Sequence, residues 1–191
     1  MSAADYPRFH PKTAAEWRRW LRDNHDRAQG VWLVAYKAGT DRSRLTYEES
    51  IPDALCYGWI DSVNKPLDDE RTALLFTPRK AGSGWSRTNK VRIARLLKEG
   101  RIEAAGLAKI AAAKRDGSWT LLDSVEALEV PNDLREALGA AGTRKFEALT
   151  PGRRKEHLRA LVTAKKAETR AKRIALIVKV TRSGDQQTKR A

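Results

Sequence analysis

The chain has 191 residues, 41% of them hydrophobic and 32% charged, and its 38 Lys and Arg against 24 Asp and Glu give a formal net charge of +14. That balance excludes a disordered acidic chain and a membrane-embedded one, and the length suits one medium domain or a domain with a helical appendage. One cysteine excludes an internal disulfide, and His10, His25 and His157 are too scattered for metal-ligand spacing, so no metal and no cofactor is expected.

Residues 1–12 read as an extended arm. Thr13 to Glu16 is a capping box, and Trp17, Trp20 and Leu21 then give a first helix one apolar face. Val31 to Lys37, β-branched and aromatic between Gly30 and Gly39, predicts a strand. Thr46 to Glu49 is a second capping box; Pro52 follows closely, so that helix either kinks at Pro52 or starts afresh at Ser50. It carries Ala54, Leu55 and Cys56 inward and ends at Gly58. Trp59 to Val63 and Arg71 to Thr77 read as two antiparallel strands around a turn at 64–69.

Ser86 is a good N-cap for a helix from Arg87 to Glu99, and an alanine-rich helix follows from Ile102 to Arg115. Residues 119–128 carry no clear signal. Short helices are expected from Pro131 to Leu138 and from Thr143 to Leu149. Thr150-Pro151 then opens one long final helix, with Ala164, Ala167, Ala171, Ile174, Ala175 and Val178 on one side and Lys165, Lys166, Arg170, Lys172 and Arg173 on the other. The layout predicts an α+β fold: a small, largely antiparallel sheet packed with helices, followed by a helical C-terminal segment. The expected boundaries are an arm over 1–12, a core domain over 13–128, the helical segment over 129–181 and a tail over 182–191.

The first ten residues lack a secretory apolar stretch, and no window approaches the roughly 20 apolar residues of a membrane span, so a soluble cytoplasmic protein is expected. Six tryptophans in polar-flanked settings suit partly buried rings that need an N–H partner. The positive charge is concentrated. Residues 144–190 hold 15 Lys and Arg against 4 Asp and Glu, and residues 79–101 hold 8 against 1. Such segments are either solvated faces or the footprint of an acidic partner or nucleic acid. Arg87, Lys90, Arg92, Arg95, Lys165, Lys166, Arg170 and Arg173 are the candidate polyanion contacts; no sequence-reading nucleic-acid motif accompanies them.

Three pieces, Ala54 to Asp61, Phe76 to Arg79 and Trp85 to Asn89, are expected to converge on a ligand cleft formed by Cys56, Trp59, Asp61, Arg79, Trp85, Ser86 and Asn89. The structural alternative is an Asp61–Arg79 ion pair with Ser86 and Asn89 as a helix cap. Cys56 is a candidate nucleophile only if a neighbour lowers its thiol pKa; no histidine lies in these pieces, and a buried inert thiol is the alternative.

These pieces, with Glu99-Gly-Arg101, Ala113-Lys114, Asp116-Gly117-x-Trp119 and the late Ala164-Lys165, Glu168-Thr-Arg170 and Arg173-Ile174, resemble the YdeI/OmpD-associated, or bacteriocin-protection, family over about residues 13–180. The resemblance implies a role in envelope stress or antimicrobial tolerance through an unidentified protein or small-ligand partner. It supplies no catalytic residue, cofactor or substrate. The resulting expectation is a non-enzymatic accessory protein. A nonspecific nucleic-acid binder and a small-molecule enzyme built on Cys56, Asp61 and Arg79 stand as alternatives.

Overall fold

The computed structural model describes residues 5–183, and the chain divides into two units, Met1–Trp119 and Thr120–Ala191. In the first unit, Thr13 caps α1 (Ala14–Asn24) by accepting the Glu16 N–H at 3.2 Å. Glu16 reaches back past Thr13 to the Lys12 N–H at 2.7 Å. The box at α2 (Tyr47–Cys56) is reciprocal: Glu49 accepts the Thr46 N–H at 2.8 Å while the Thr46 hydroxyl accepts the Glu49 N–H. That double cap fixes the start of α2 at Tyr47. The helix does not restart at Ser50, whose hydroxyl donates instead to the Tyr47 carbonyl at 2.8 Å.

The sheet comprises β1 (Arg8–Phe9), β2 (Val31–Tyr36), β3 (Trp59–Pro66) and β4 (Arg71–Pro78) in the order β1-β2-β4-β3. Only β1 and β2 run parallel; the other pairs are antiparallel, so the expected α+β class with a largely antiparallel sheet is the one the chain adopts. β3 runs on to Pro66, through half of the expected turn, because its pairing with β4 resumes at Asn64↔Leu74 after a register shift that follows Asp61↔Phe76.

Alternation along the strands sends Val31, Leu33 and Phe76 into the main core with Trp17, Leu21, Leu55, Ile93 and Leu96. Trp32, Val34, Ala73 and Leu75 form a smaller cluster on the opposite face. Four of the tryptophans expected to be partly exposed, Trp17, Trp32, Trp59 and Trp85, are buried. Backbone carbonyls make this possible for two of them: Trp17 Nε1 donates to Ser50 at 3.0 Å and Trp59 Nε1 to His25 at 3.2 Å.

Ser86 caps α3 (Arg87–Lys98), accepting the Asn89 N–H at 3.3 Å. α4 (Ala104–Arg115) starts two residues later than expected, after the Cys56 carbonyl has taken the Glu103 N–H at 3.1 Å. α2 and α4 approach closely here: a Cβ on Gly106 would stand 2.3 Å from the Cys56 carbonyl oxygen.

The second unit is helical, as expected of the C-terminal region: α5 (Asp123–Glu126), α6 (Asn132–Glu147), α7 (Pro151–Val162) and α8 (Ala167–Ser183). The two short helices expected over 131–149 form one element kinked at Gly139, whose φ of 66° only glycine adopts without strain. The single long final helix is not formed. Thr163 ends α7, its hydroxyl donating to the Arg159 carbonyl at 2.8 Å, and α8 begins anew at Ala167. α8 buries Ile177 and Thr181 with Ile174 and Val178 beside them, while Ala171 and Ala175 are exposed; large side chains, not the alanine stripe, choose the docked face. From residue 184 on, the expected tail lies outside the described residues. No helix among the described residues is long and apolar enough to cross a membrane.

Candidate binding face of the first unit

The residues expected to line one cleft fall into four settings. Cys56 and Trp59 lie in the core, 0% and 1% exposed. Burial pushes the Cys56 thiol up, a bond from Arg18 opposing it. Ser86 and Asn89 take the capping role, and the Asn89 side-chain oxygen accepts Arg92 Nη1 at 3.0 Å. Asp61 accepts the Tyr47 hydroxyl at 3.1 Å and acts on Arg79 only through space.

Arg79 and Trp85 do come together. The Arg79 backbone N–H ends the β3–β4 ladder on the Gly58 carbonyl at 2.9 Å, and its guanidinium lies 3.6 Å above the Trp85 ring. Nη2 donates to the Gly84 carbonyl at 3.2 Å; Nε and Nη1 are buried without a partner among the described residues. Desolvation lowers the Arg79 pKa to about 10, so it stays a cation at neutral pH, held mainly by an aromatic face.

Trp85 meets Trp119 at a centroid distance of 5.1 Å, and Trp119 is half-buried. The Lys90 and Lys114 ammonium groups stand 5.4 and 5.6 Å from the centre of the Trp119 ring. Beside the stack is a small hollow of about 60 Å³ lined by Arg79, Lys80, Lys109, Asp116 and Ser118. Asp116 accepts N–H bonds from Ser118 at 2.9 Å and Gly82 at 3.1 Å, which hold it below the usual carboxylate range and tie the 81–84 loop to the end of α4. Lys109, Lys114, Asp116 and Trp119 were not among the sequence-predicted cleft residues. The signal was present in the i, i+3, i+4, i+7 spacing of Lys109, Ala112, Ala113 and Asp116.

A second cluster binds helices together. The Asp53 carboxylate, 4% exposed, accepts Arg18 Nη1 at 2.8 Å and Arg101 Nη2 at 3.0 Å, and Arg18 also reaches Glu103 at 2.7 Å. Burial would lower the Arg18 pKa, but bonds to Asp53 and Cys56 outweigh it and raise it. These charges tie α1 and α2 to the start of α4, and the thiol sits beneath them.

The candidate polyanion contacts divide likewise. Arg92 pairs with Glu48 at 2.6 Å and Arg95 with Glu99 at 3.5 Å. Arg170 clamps Asp133 through Nε at 2.6 Å and Nη2 at 2.9 Å, and Arg173 donates to the Ala160 carbonyl. Arg87, Lys165 and Lys166 are exposed, and Lys90 faces Trp119. Among the described residues no group of three His, Cys, Asp or Glu side chains could hold a metal ion.

Comparison with known proteins gives two family matches. Residues 9–109 match a domain of unknown function, DUF8412, and residues 127–184 match the family described as bacteriocin-protection, YdeI or OmpD-associated. The resemblance expected over 13–180 therefore holds in the second unit, whereas the pieces at 54–61, 76–79 and 85–89 fall within the first match. No curated protein and no solved structure matches the chain. The chain belongs to the DUF8412 domain family, and behind that domain residues 127–184 match the family described as bacteriocin-protection, YdeI or OmpD-associated.

Proposed function

We propose that this chain is a bacteriocin-protection-like accessory protein that works by binding, taking an acidic partner onto the tryptophan-and-lysine face of its first unit. The observation that carries the reading is Trp119, half-buried with the Lys90 and Lys114 ammonium groups 5.4 and 5.6 Å from its ring centre. An aromatic ring with cations near it suits an anionic group whose body stacks while its charge is neutralised. Burial of Cys56, with its thiol pushed up, favours binding over thiol chemistry. The proposed compartment is the cytoplasm, where a single thiol stays reduced.

A second reading, nonspecific binding of single-stranded nucleic acid, draws on the same ring, since any base can stack on it. Titrating the chain with an oligothymidylate and with an acidic peptide, following tryptophan fluorescence, separates the two. Trp119→Ala should weaken the preferred ligand about tenfold, the scale of one stacked base. Affinity for the oligonucleotide should also fall steeply with salt if that reading holds. Unchanged binding of both ligands by a folded Trp119→Ala variant would remove this face from the function.

A further inference from the structure

The second unit contains a hollow of its own. It measures about 230 Å³ and is lined by Lys145 of α6, by Ala148 and Leu149 of the turn after it, by Arg153 and His157 of α7, and by Val180 and Thr181 of α8. Its polar lining consists of two cationic side chains, an imidazole and a hydroxyl, with no carboxylate among the described residues. Its apolar lining is Ala148, Leu149 and Val180. Thr181 is 6% exposed, and its Oγ1 is buried without a hydrogen-bond partner among the described residues. An orphaned hydroxyl is costly unless something completes it.

We propose that this hollow binds a small amphiphilic anion, a carboxylate or phosphate head on a short hydrocarbon body. Lys145 and Arg153 supply the positive field for the head, and Thr181 and His157 supply hydrogen bonds. The Leu149 and Val180 side takes the hydrocarbon. The volume exceeds the roughly 150 Å³ that holds a benzene ring, and so suits a head with about six carbons. Burial lowers the His157 pKa, with Glu156 acting upward and Arg153 downward. The ring is therefore neutral at pH 7 in the empty site, and a bound anion would draw a proton onto it. The site shares no residue with the tryptophan face and stands or falls independently of it.

The test follows the His157 imidazole by NMR in the full chain while sodium hexanoate or hexyl phosphate is added, the pair identifying the head. Inorganic phosphate, hexanol and hexylammonium serve as controls. The expected result is saturable binding of at least one hexyl anion with an upward shift of the His157 pKa, and weak or absent effects from all three controls. Ala148→Phe should fill the hollow and abolish the response. Thr181→Val should weaken binding about threefold to tenfold, the value of one hydrogen bond, without lowering the thermal midpoint, because the hydroxyl has no protein partner to lose. Lys145→Gln should weaken it comparably. Absence of any response to both hexyl anions would overturn the proposal. So would a response to hexylammonium or hexanol equal to theirs, or one that survives in a folded Ala148→Phe variant.

Discussion

At Gly106 one methyl group decides whether two helices can meet. Its Cβ would fall 2.3 Å from a backbone oxygen that cannot rotate away, so Gly106→Ala should destabilise the first unit by about 1–3 kcal/mol in a denaturant titration. Arg79 makes the opposite case. Two of its N–H groups are orphaned in the core, so a side chain of similar length without them should be tolerated: Arg79→Met is expected to keep or raise the thermal midpoint. A large fall would show that its stacking on Trp85 outweighs its desolvation. The Ser86–Asn89 cap was legible in the sequence because both partners lie within one turn. The burial of Trp59 and Trp85 was not. Each follows a glycine, with a charged residue two positions on at Asp61 and Arg87, and the groups that complete their surroundings, including the His25 carbonyl that accepts the Trp59 N–H, come from distant parts of the chain.

Helix starts were readable from Thr13, Thr46, Ser86 and Thr150, since a cap is a local pairing of a hydroxyl with an N–H two or three residues on. The break at 163–166 was not readable, because Ala164, Lys165 and Lys166 all favour helix and packing of α8 against α6 and α7 turns the chain there. The Arg170–Asp133 clamp and the Arg173 bond to Ala160 secure that docking. In the sequence both arginines looked like solvent-facing charge. Arg170→Ala should cost about 1 kcal/mol, since both partners are partly exposed, and should speed amide hydrogen exchange along α8 before it does so in α6. Asp133, held below the usual carboxylate range by Arg170, contributes its share above the ordinary carboxylate pKa and loses it as acid protonates the folded form.

Across the whole chain, charge and acid sensitivity are unevenly shared. His157 has a folded pKa below its ordinary 6.5, so the unfolded chain binds the extra proton first and stability falls as pH drops through 6.5 and below. Denaturant midpoints measured between pH 7.5 and 5 should show this slope, and His157→Gln should reduce it. The sheet supplies a further consequence. From Asp61 to Asn64 β3 advances three residues while its partner β4 advances two, from Phe76 to Leu74, so β3 carries one surplus residue on an outer strand that also bears Lys65 and Pro66. The other outer strand, β1, is two residues long. Neither margin offers a straight run of open backbone to a second molecule, which works against edge-to-edge pairing beside the 53% exposed Val63. Deleting Val63 would straighten that margin, and light scattering should then rise with protein concentration.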